Sequence, residues 1–252
     1  MLVKTKLVES SLSDNIVNFL NQDKIANLNI FEILENSSAA KIYVDSLDKP
    51  TGVLVNDGYF NYVYTKDDKF IDVMLNQFFS EVGEYGFSGV ESKMADKIIS
   101  KHNVEWRNKC DLYYYDEESV DTSKISSNVK SIDIRDADMI NDFYTYKSEN
   151  SIYSIIECIK NRSTSGVYID GDLVSWVMVH EDGSMGIMYT KKEFRNKGYA
   201  VDVTIDLLDK LLKENKIPFL HIVEDNMPSH KLAKKCGLKL YGKCTWFGII
   251  IQ

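Results

Sequence analysis

Apolar residues recur along this 252-residue chain in two rhythms, one of period two and one near 3.6, and the switches between them outline the elements. From the middle onward the pattern predicts a short strand at 131–134 and helices at 136–146 and 151–161. A hairpin, 166–169 with 173–180, turns on Asp170-Gly171, a pair suited to the positive φ angles of a tight turn. A strand at Met185–Thr190 then leads through Arg195-Asn196-Lys197-Gly198-Tyr199-Ala200 into an amphipathic run, Val201–Glu214. In that run Ala200, Val203, Leu207, Leu208, Leu211 and Leu212 form one apolar stripe, with Asp202, Asp206, Asp209, Lys210 and Lys213 outside it. The stripe reads as core. An apolar strand at 217–223, a helix at 228–236 and a last strand at 243–251 complete this half.

The first half runs through a similar order. Helical patterns at 13–21 and 25–34 precede strands at 41–45, 52–55 and 59–64. A helix at 67–83, a strand near Phe87, a helix at 92–101 and a strand at 112–115 follow. Between the halves, residues 116–130 are crowded with Glu, Asp, Ser, Thr and Lys and read as a linker, with Val120, Ile125 and Val129 as isolated apolar positions. The predicted organisation is therefore two domains, 1–125 and 126–252, built on one internal repeat. Where the second half has Gly198 at a helix entrance, the first has Lys66-Asp67-Asp68, whose carboxylates would repel a phosphate. The first half thus reads as a degenerate copy without a cofactor loop.

Composition narrows the function classes. The formal charge of −8 belongs wholly to the first 125 residues, which hold 13 basic against 21 acidic side chains, whereas the remainder holds 17 of each. No basic patch with interleaved aromatics is present, so nucleic acid is not an expected partner. No apolar run is long enough to span a bilayer, and Met1–Lys6 lacks the long apolar region of a signal peptide, so neither membrane nor secretion is expected and the default location is cytoplasmic. Cys110, Cys158, Cys236 and Cys244 show no metal-ligand spacing and read as reduced thiols; no metal is expected.

A strand, a glycine-bearing turn and a helix start make an anion site, because the first N–H groups of a helix lack internal partners and carry its positive dipole end. The pattern Arg195-x-x-Gly198-x-Ala200 resembles the acyl-CoA-binding loop of the GNAT acyltransferase superfamily. A second stretch, running from Asn226 through Ser229, Leu232, Ala233 and Lys235 to Gly237-Leu238, is similar to that superfamily's Asn-x-x-Ala-x-x-Leu-Tyr-x-Lys-x-Gly-Phe. The resemblance spans about 131–251. It leans toward the glycine N-acyltransferase branch through Gly183–Arg195, with Tyr189-Thr190 and Glu193-Phe194-Arg195. It implies the mixed α/β (α+β) GNAT fold, in two tandem GNAT-like halves with central sheets flanked by helices.

The resemblance also implies an acyl-CoA-dependent N-acyltransferase, an acetyltransferase, with acetyl-CoA or another acyl-CoA as co-substrate. Backbone groups of Met188, Tyr189 and Thr190 would bond the pantetheine arm, and Arg195, Asn196, Lys197, Gly198, Tyr199 and Ala200 would hold the pyrophosphate. Asn226 would cap the following helix or bond the arm, and Ser229 and Lys235 would line the channel. Two departures stand out: Ala233 replaces the tyrosine that usually protonates the leaving thiolate, and Ser184 stands where glycine acyltransferases carry a glutamate base. A free thiol has a pKa near 8.5, so thiolate leaves tolerably without an acid. Glu224, at the end of a strand, and His221, on that strand's opposite side, are the remaining candidate bases. Trp176, Trp246 and Phe247 read either as an acceptor wall or as core. The acceptor stays open among small amines, amino acids, antibiotics and protein lysines. The rival readings are a catalytically inactive acyl-CoA-binding module and an interaction protein whose acidic half docks a basic partner.

Overall fold

The computed structural model describes residues 6–252, so nearly all of the Met1–Lys6 stretch read above lies outside the described residues. Two series with one element order follow each other. The first is β1 (Val8–Ser10), α1 (Asp14–Leu20), α2 (Leu28–Asn36), β2 (Lys41–Val44), β3 (Gly52–Asp57), β4 (Phe60–Thr65), α3 (Asp68–Phe78), β5 (Gly83–Glu91), α4 (Ser92–Ile99) and β6 (Asn103–Tyr114). The second is β7 (Val129–Lys130), α5 (Ala137–Asp142), α6 (Ser151–Asn161), β8 (Thr164–Ile169), β9 (Asp172–Val179), β10 (Met185–Thr190), α7 (Tyr199–Lys213), β11 (Phe219–Val223), α8 (Met227–Lys235) and β12 (Lys239–Ile251).

Compactness divides the chain differently from the 125/126 boundary. One unit joins the residues up to Leu112 with Tyr241–Gln252, and the other runs Tyr113–Leu240. In the first unit the strand order is β1-β2-β3-β4-β5-β12-β6. Strands β2, β3 and β4 form an antiparallel meander, β4 meets β5 in parallel at Phe60↔Gly86 and Asn61↔Phe87, and β12 pairs antiparallel with β5 from Cys244↔Glu91 to Ile251↔Gly83. Phe247, with no exposed surface, stacks on Phe87 at 4.7 Å, and Trp246 meets Phe60 edge-on at 5.6 Å. Both rings therefore belong to the core and sheet of the first unit.

The second unit carries an antiparallel sheet in the order β10-β9-β8-β7. Asp170 and Gly171 turn its central hairpin with φ of 52° and 92°, as their sequence predicts. Strand β11 lies outside this sheet and pairs instead with the end of β6, where the Tyr115 amide donates to the Pro218 carbonyl at 2.8 Å. Helix α7 presses Val203, Leu207, Leu208 and Leu211 onto β8 and β9, each worth roughly 1.5–3 kcal/mol as an upper bound. Its polar side is also anchored. The Asp206 carboxylate accepts from Ser165 Oγ at 2.6 Å and pairs with Lys210, whose Nζ donates to the Thr164 carbonyl. Asp202, placed by periodicity off the stripe, is buried and accepts from Ser126 Oγ at 3.0 Å.

The stretch expected as a linker is ordered. Val120, Ile125 and Val129 pack against the second unit's core, Tyr115 Oη donates to the Ser119 carbonyl, and a short 3-10 turn spans Thr122–Lys124. Three other expectations shift. The strand at 131–134 is the two-residue β7 followed by a 3-10 turn, the helix at 136–146 shrinks to α5, and the helix at 67–83 ends at Phe78 so that Gly83 opens β5. Among the described residues no helix is long and apolar enough to cross a membrane.

Candidate active site

Strand β10 is an edge strand. It pairs with β9 through Met185↔Val179, Gly186↔Met178, Tyr189↔Trp176 and Thr190↔Ser175, and its other side faces β11 without joining it in a ladder. Between Gly186 and Tyr189 the register slips, so that Ile187 and Met188 together oppose one residue, Val177. This bulge puts Ile187 at φ 47°, a conformation that costs a β-branched residue about 1–2 kcal/mol. Packing of Ile187 and Tyr189 on the α5–α6 side holds it there, while Met188 turns to the α7 side. Bulge and open edge leave main-chain groups of β10 facing a gap between two strands.

That gap leads to the entrance of α7. Asn196 and Gly198 both have positive φ, 62° and 91°, which turns successive amides inward as a nest suited to an anion. Gly198 is the N-cap and offers no side chain, and a Cβ added there would meet open space. The Lys197 amide closes a turn over Arg195 and Asn196, whereas among the described residues no carbonyl or side chain accepts from the amides of Asn196, Gly198, Tyr199 or Ala200; the helix's first internal bonds start at Val201 and Asp202, both to the Gly198 carbonyl. Asn196, Lys197 and Gly198 are exposed, and Tyr199 and Ala200 partly so.

The expected side chains have definite places around this mouth. Arg195 donates from Nε to the Thr190 carbonyl at 3.0 Å and lies 5.4 Å from the Tyr189 ring centroid, which fixes the end of β10 with one of the guanidinium's five donors. The Thr190 carbonyl thus already has a partner, and its hydroxyl shares a 2.7 Å hydrogen bond with Ser175. Lys197 holds its Nζ 5.0 Å from the Phe194 ring. Tyr189 stacks on Phe143 at 4.7 Å and tilts against buried Trp176 at 5.4 Å, so Trp176 is core and Tyr189 the partly exposed ring above it. Asn226 caps α8, its Oδ1 accepting from the Ser229 amide at 3.3 Å. Lys235 is exposed in the last turn of α8.

The candidate bases separate. Glu224 is exposed beyond the end of β11. On β11 itself, Leu220 and Ile222 pack toward α7, so His221 alternates to the other face, the face on which Tyr189 also lies. Burial pushes its pKa below the ordinary histidine range; the Asp182 carboxylate opposes that shift and the nearby His180 ring adds to it. Ser184, the residue in place of the family's glutamate, is buried and gives both its amide (3.1 Å) and its hydroxyl (2.6 Å) to Asp182 Oδ1. Asp182 and His180 belong to no sequence motif; only the fold brings 180–184 up to 221. Ala233 is buried in the core and offers only a methyl group. Buried His230 is structural, contacting Tyr113 Oη at 3.1 Å and the Val223 carbonyl at 3.2 Å.

None of the four cysteines forms a disulfide and all are buried; desolvation raises Cys158 to about 12 and Cys236 to about 11, which removes those two as thiolate nucleophiles at neutral pH. Among the described residues no group of His, Cys, Asp and Glu side chains has the geometry to hold a metal ion.

Comparison with known proteins fits this geometry. Residues 166–247, which include β10, the nest, α7 and β11, match the FR47-like protein family model. A tandem GNAT protein from the clavulanic acid biosynthesis pathway superposes over 97% of this chain and 98% of its own, with TM-score 0.54 and 13% identity. The chain has the GNAT fold. A Drosophila protein of known structure shares that arrangement at TM-score 0.73 and 12% identity, covering 97% of this chain and 98% of its own. Among curated relatives, the human glycine N-acyltransferase-like protein 2 is 26% identical over 153 residues, 60% of this chain; the match spans 50% of that protein's length.

Proposed function

We propose that the chain is an acyl-CoA-dependent N-acyltransferase that moves an acetyl or other short acyl group onto a primary amine by direct attack in a ternary complex. The observation that carries this reading is the set of unpartnered amides of Asn196, Gly198, Tyr199 and Ala200 at the end of the open edge of β10. Those amides and the α7 dipole suit a pyrophosphate, with Arg195 and Lys197 alongside. The free edge of β10 suits the amides of a pantetheine arm, with Met188 and Tyr189 as main-chain partners and Asn226, Ser229 and Lys235 across the channel. An amide of β10 near Tyr189 would support the oxyanion.

With Ala233 and Ser184 unable to act as acid or base, the chemistry falls to Glu224 or His221 and to the intrinsic quality of thiolate as a leaving group. A protein that binds acyl-CoA without turning it over is the second reading, favoured by those same two residues. Two measurements on the full chain test both: calorimetric titration with acetyl-CoA, and thiol release from acetyl-CoA in the presence of glycine, lysine or benzylamine. Binding with thiol release is expected. Binding without release leaves the module, and absence of binding rejects the site.

A further inference from the structure

Helix α3 starts behind Asp67, which caps it, and ends in the first unit beside a cavity that no motif announces. On the face of the sheet that α3 covers, register sets Tyr43, Leu54 and Val63 side by side, and two residues along the strands comes the row Lys41, Asn56 and Asn61. Leu54 and Val63 pack into one core with Phe70, Ile71, Met74 and Leu75 of α3. The helix stops at Phe78, with Phe79 as its C-cap, where the sheet turns from the apolar row to the polar one. Between the helix end, these two rows and Tyr85 of β5 lies a space of about 180 Å³. Its walls are mostly aromatic. Tyr43 meets Phe78 with ring centroids 4.4 Å apart, and Tyr85 meets Phe79 edge-on at 5.1 Å. Phe79 is buried, whereas Tyr43, Phe78 and Tyr85 are half-buried and keep part of their ring surface open.

The polar row is wired in one direction. Asn61, 2% exposed, donates from Nδ2 to the Gly86 carbonyl at 3.0 Å, which fixes its Oδ1 as an acceptor. Asn56 Nδ2 donates to that Oδ1 at 3.0 Å and to the Gly58 carbonyl at 3.1 Å. Both N–H bonds of Asn56 are thereby spent and its Oδ1 is left over, while Asn61 retains one N–H; among the described residues neither of these has a partner. Unspent amide valences in a sequestered network are costly, and a ligand that supplies both partners removes the cost. Among the described residues no charged side chain lines the space, and Lys41, opposite Asn56 in the ladder, is exposed. The volume is a little above the ~150 Å³ of an apolar cavity that holds one benzene ring. We propose that this cavity binds a neutral, single-ring aromatic carboxamide. The ring lies against Tyr43, Phe78 and Tyr85, and the carboxamide gives an N–H to Asn56 Oδ1 and accepts from Asn61 Nδ2 through its carbonyl. A carboxylate would bring only acceptors to Asn56 Oδ1, and an ammonium would set its charge against the Asn61 N–H with no counter-ion in the wall. The site is independent of the acyl-CoA reading, and it gives the unit without a cofactor loop a ligand of its own.

The test titrates the full chain with benzamide, benzoate and benzylamine, read by backbone amide shifts and by calorimetry. Benzamide should bind once per chain with a Kd of about 1 mM or lower, moving the resonances of Tyr43, Leu54, Asn56, Asn61, Phe78 and Tyr85. Benzoate and benzylamine, each lacking one half of the carboxamide, should bind at least about tenfold more weakly. Asn56→Leu removes the free acceptor and should lower benzamide affinity about tenfold or more, bringing the three compounds closer together. Phe78→Leu keeps both amides and removes a ring face, so it should weaken all three compounds by a similar factor. Shifts centred elsewhere, equal affinity for benzoate and benzamide, or no saturation by about 10 mM benzamide overturns the proposal. So does a folded Asn56→Leu chain that binds benzamide as the parent does. If a variant fails to fold, the parent's shift map and the order of the three compounds decide alone.

Discussion

Two helices of this chain, α3 and α7, follow corresponding strands in two copies of one element order, yet their entrances are built on opposite principles. At α3 the N-cap is Asp67, whose carboxylate accepts from the Lys69 amide at 2.9 Å, so the helix mouth is closed by its own side chain and carries negative charge that Asp68 doubles. At α7 the N-cap is Gly198, which offers no side chain and leaves the consecutive amides of Gly198, Tyr199 and Ala200 open to an outside partner. The preceding strands differ in the same sense: β4 meets β5 in register, whereas β10 has no ladder partner toward β11. A helix capped by its own carboxylate is the more stable object, by a few tenths of a kcal/mol or so over one capped by glycine. An uncapped one leaves its first amides open, which is the feature on which the proposed acyl-CoA site rests.

The sharpest way to break this contrast is to give α7 the character of α3. Gly198→Glu has room for its side chain but places a carboxylate at the mouth, and acetyl-CoA affinity measured by calorimetry should fall by at least about 30-fold, roughly 2 kcal/mol. Gly198→Ala separates charge from backbone strain. It should cost about 1–2 kcal/mol in thermal unfolding through the φ of 91°, with affinity lowered only a few-fold. The reverse exchange, Asp67→Ala, should remove about 1 kcal/mol of stability from the first unit and create no second equivalent of acetyl-CoA binding.

A smaller effect distinguishes the units by pH. Burial lowers the pKa of His180 and His221 in the second unit and of His102 in the first. The unfolded chain therefore takes up protons first as pH drops below about 6.5, and stability that is fully present above that value drains away as pH falls through the depressed folded-state values. With two such rings against one, amide exchange corrected for intrinsic rate should show the second unit losing more protection between pH 7.5 and 5.5.

Much of this architecture was legible because its elements are periodic: α6 and β10 match their predicted bounds, and the glycine loop declared itself through backbone freedom that only certain residues permit. The losses have particular causes. Asn103–Lys109 went unread as strand because both its faces are largely exposed and lack an apolar alternation. Residues 116–130 passed for a linker because three separated apolar side chains anchor them, too few to make a period. The bulge at Ile187 and Met188 is a matter of register with β9, which no local pattern encodes. Asp182 and His221 are polar residues in unremarkable settings until the turn after β9 is laid against β11.

One strand has a consequence in time. Strand β12 fills the place beside β5, so Cys244 must reach Glu91 across an intervening stretch of roughly 150 residues that folds elsewhere. At a synthesis speed of about 5–20 residues per second, the flank of β5 waits on the order of ten seconds or more on the ribosome with its hydrogen-bonding edge uncovered. The part of the molecule that begins first is thus among the last to be finished, and during that interval nascent chains are exposed to aggregation through the vacant side of β5.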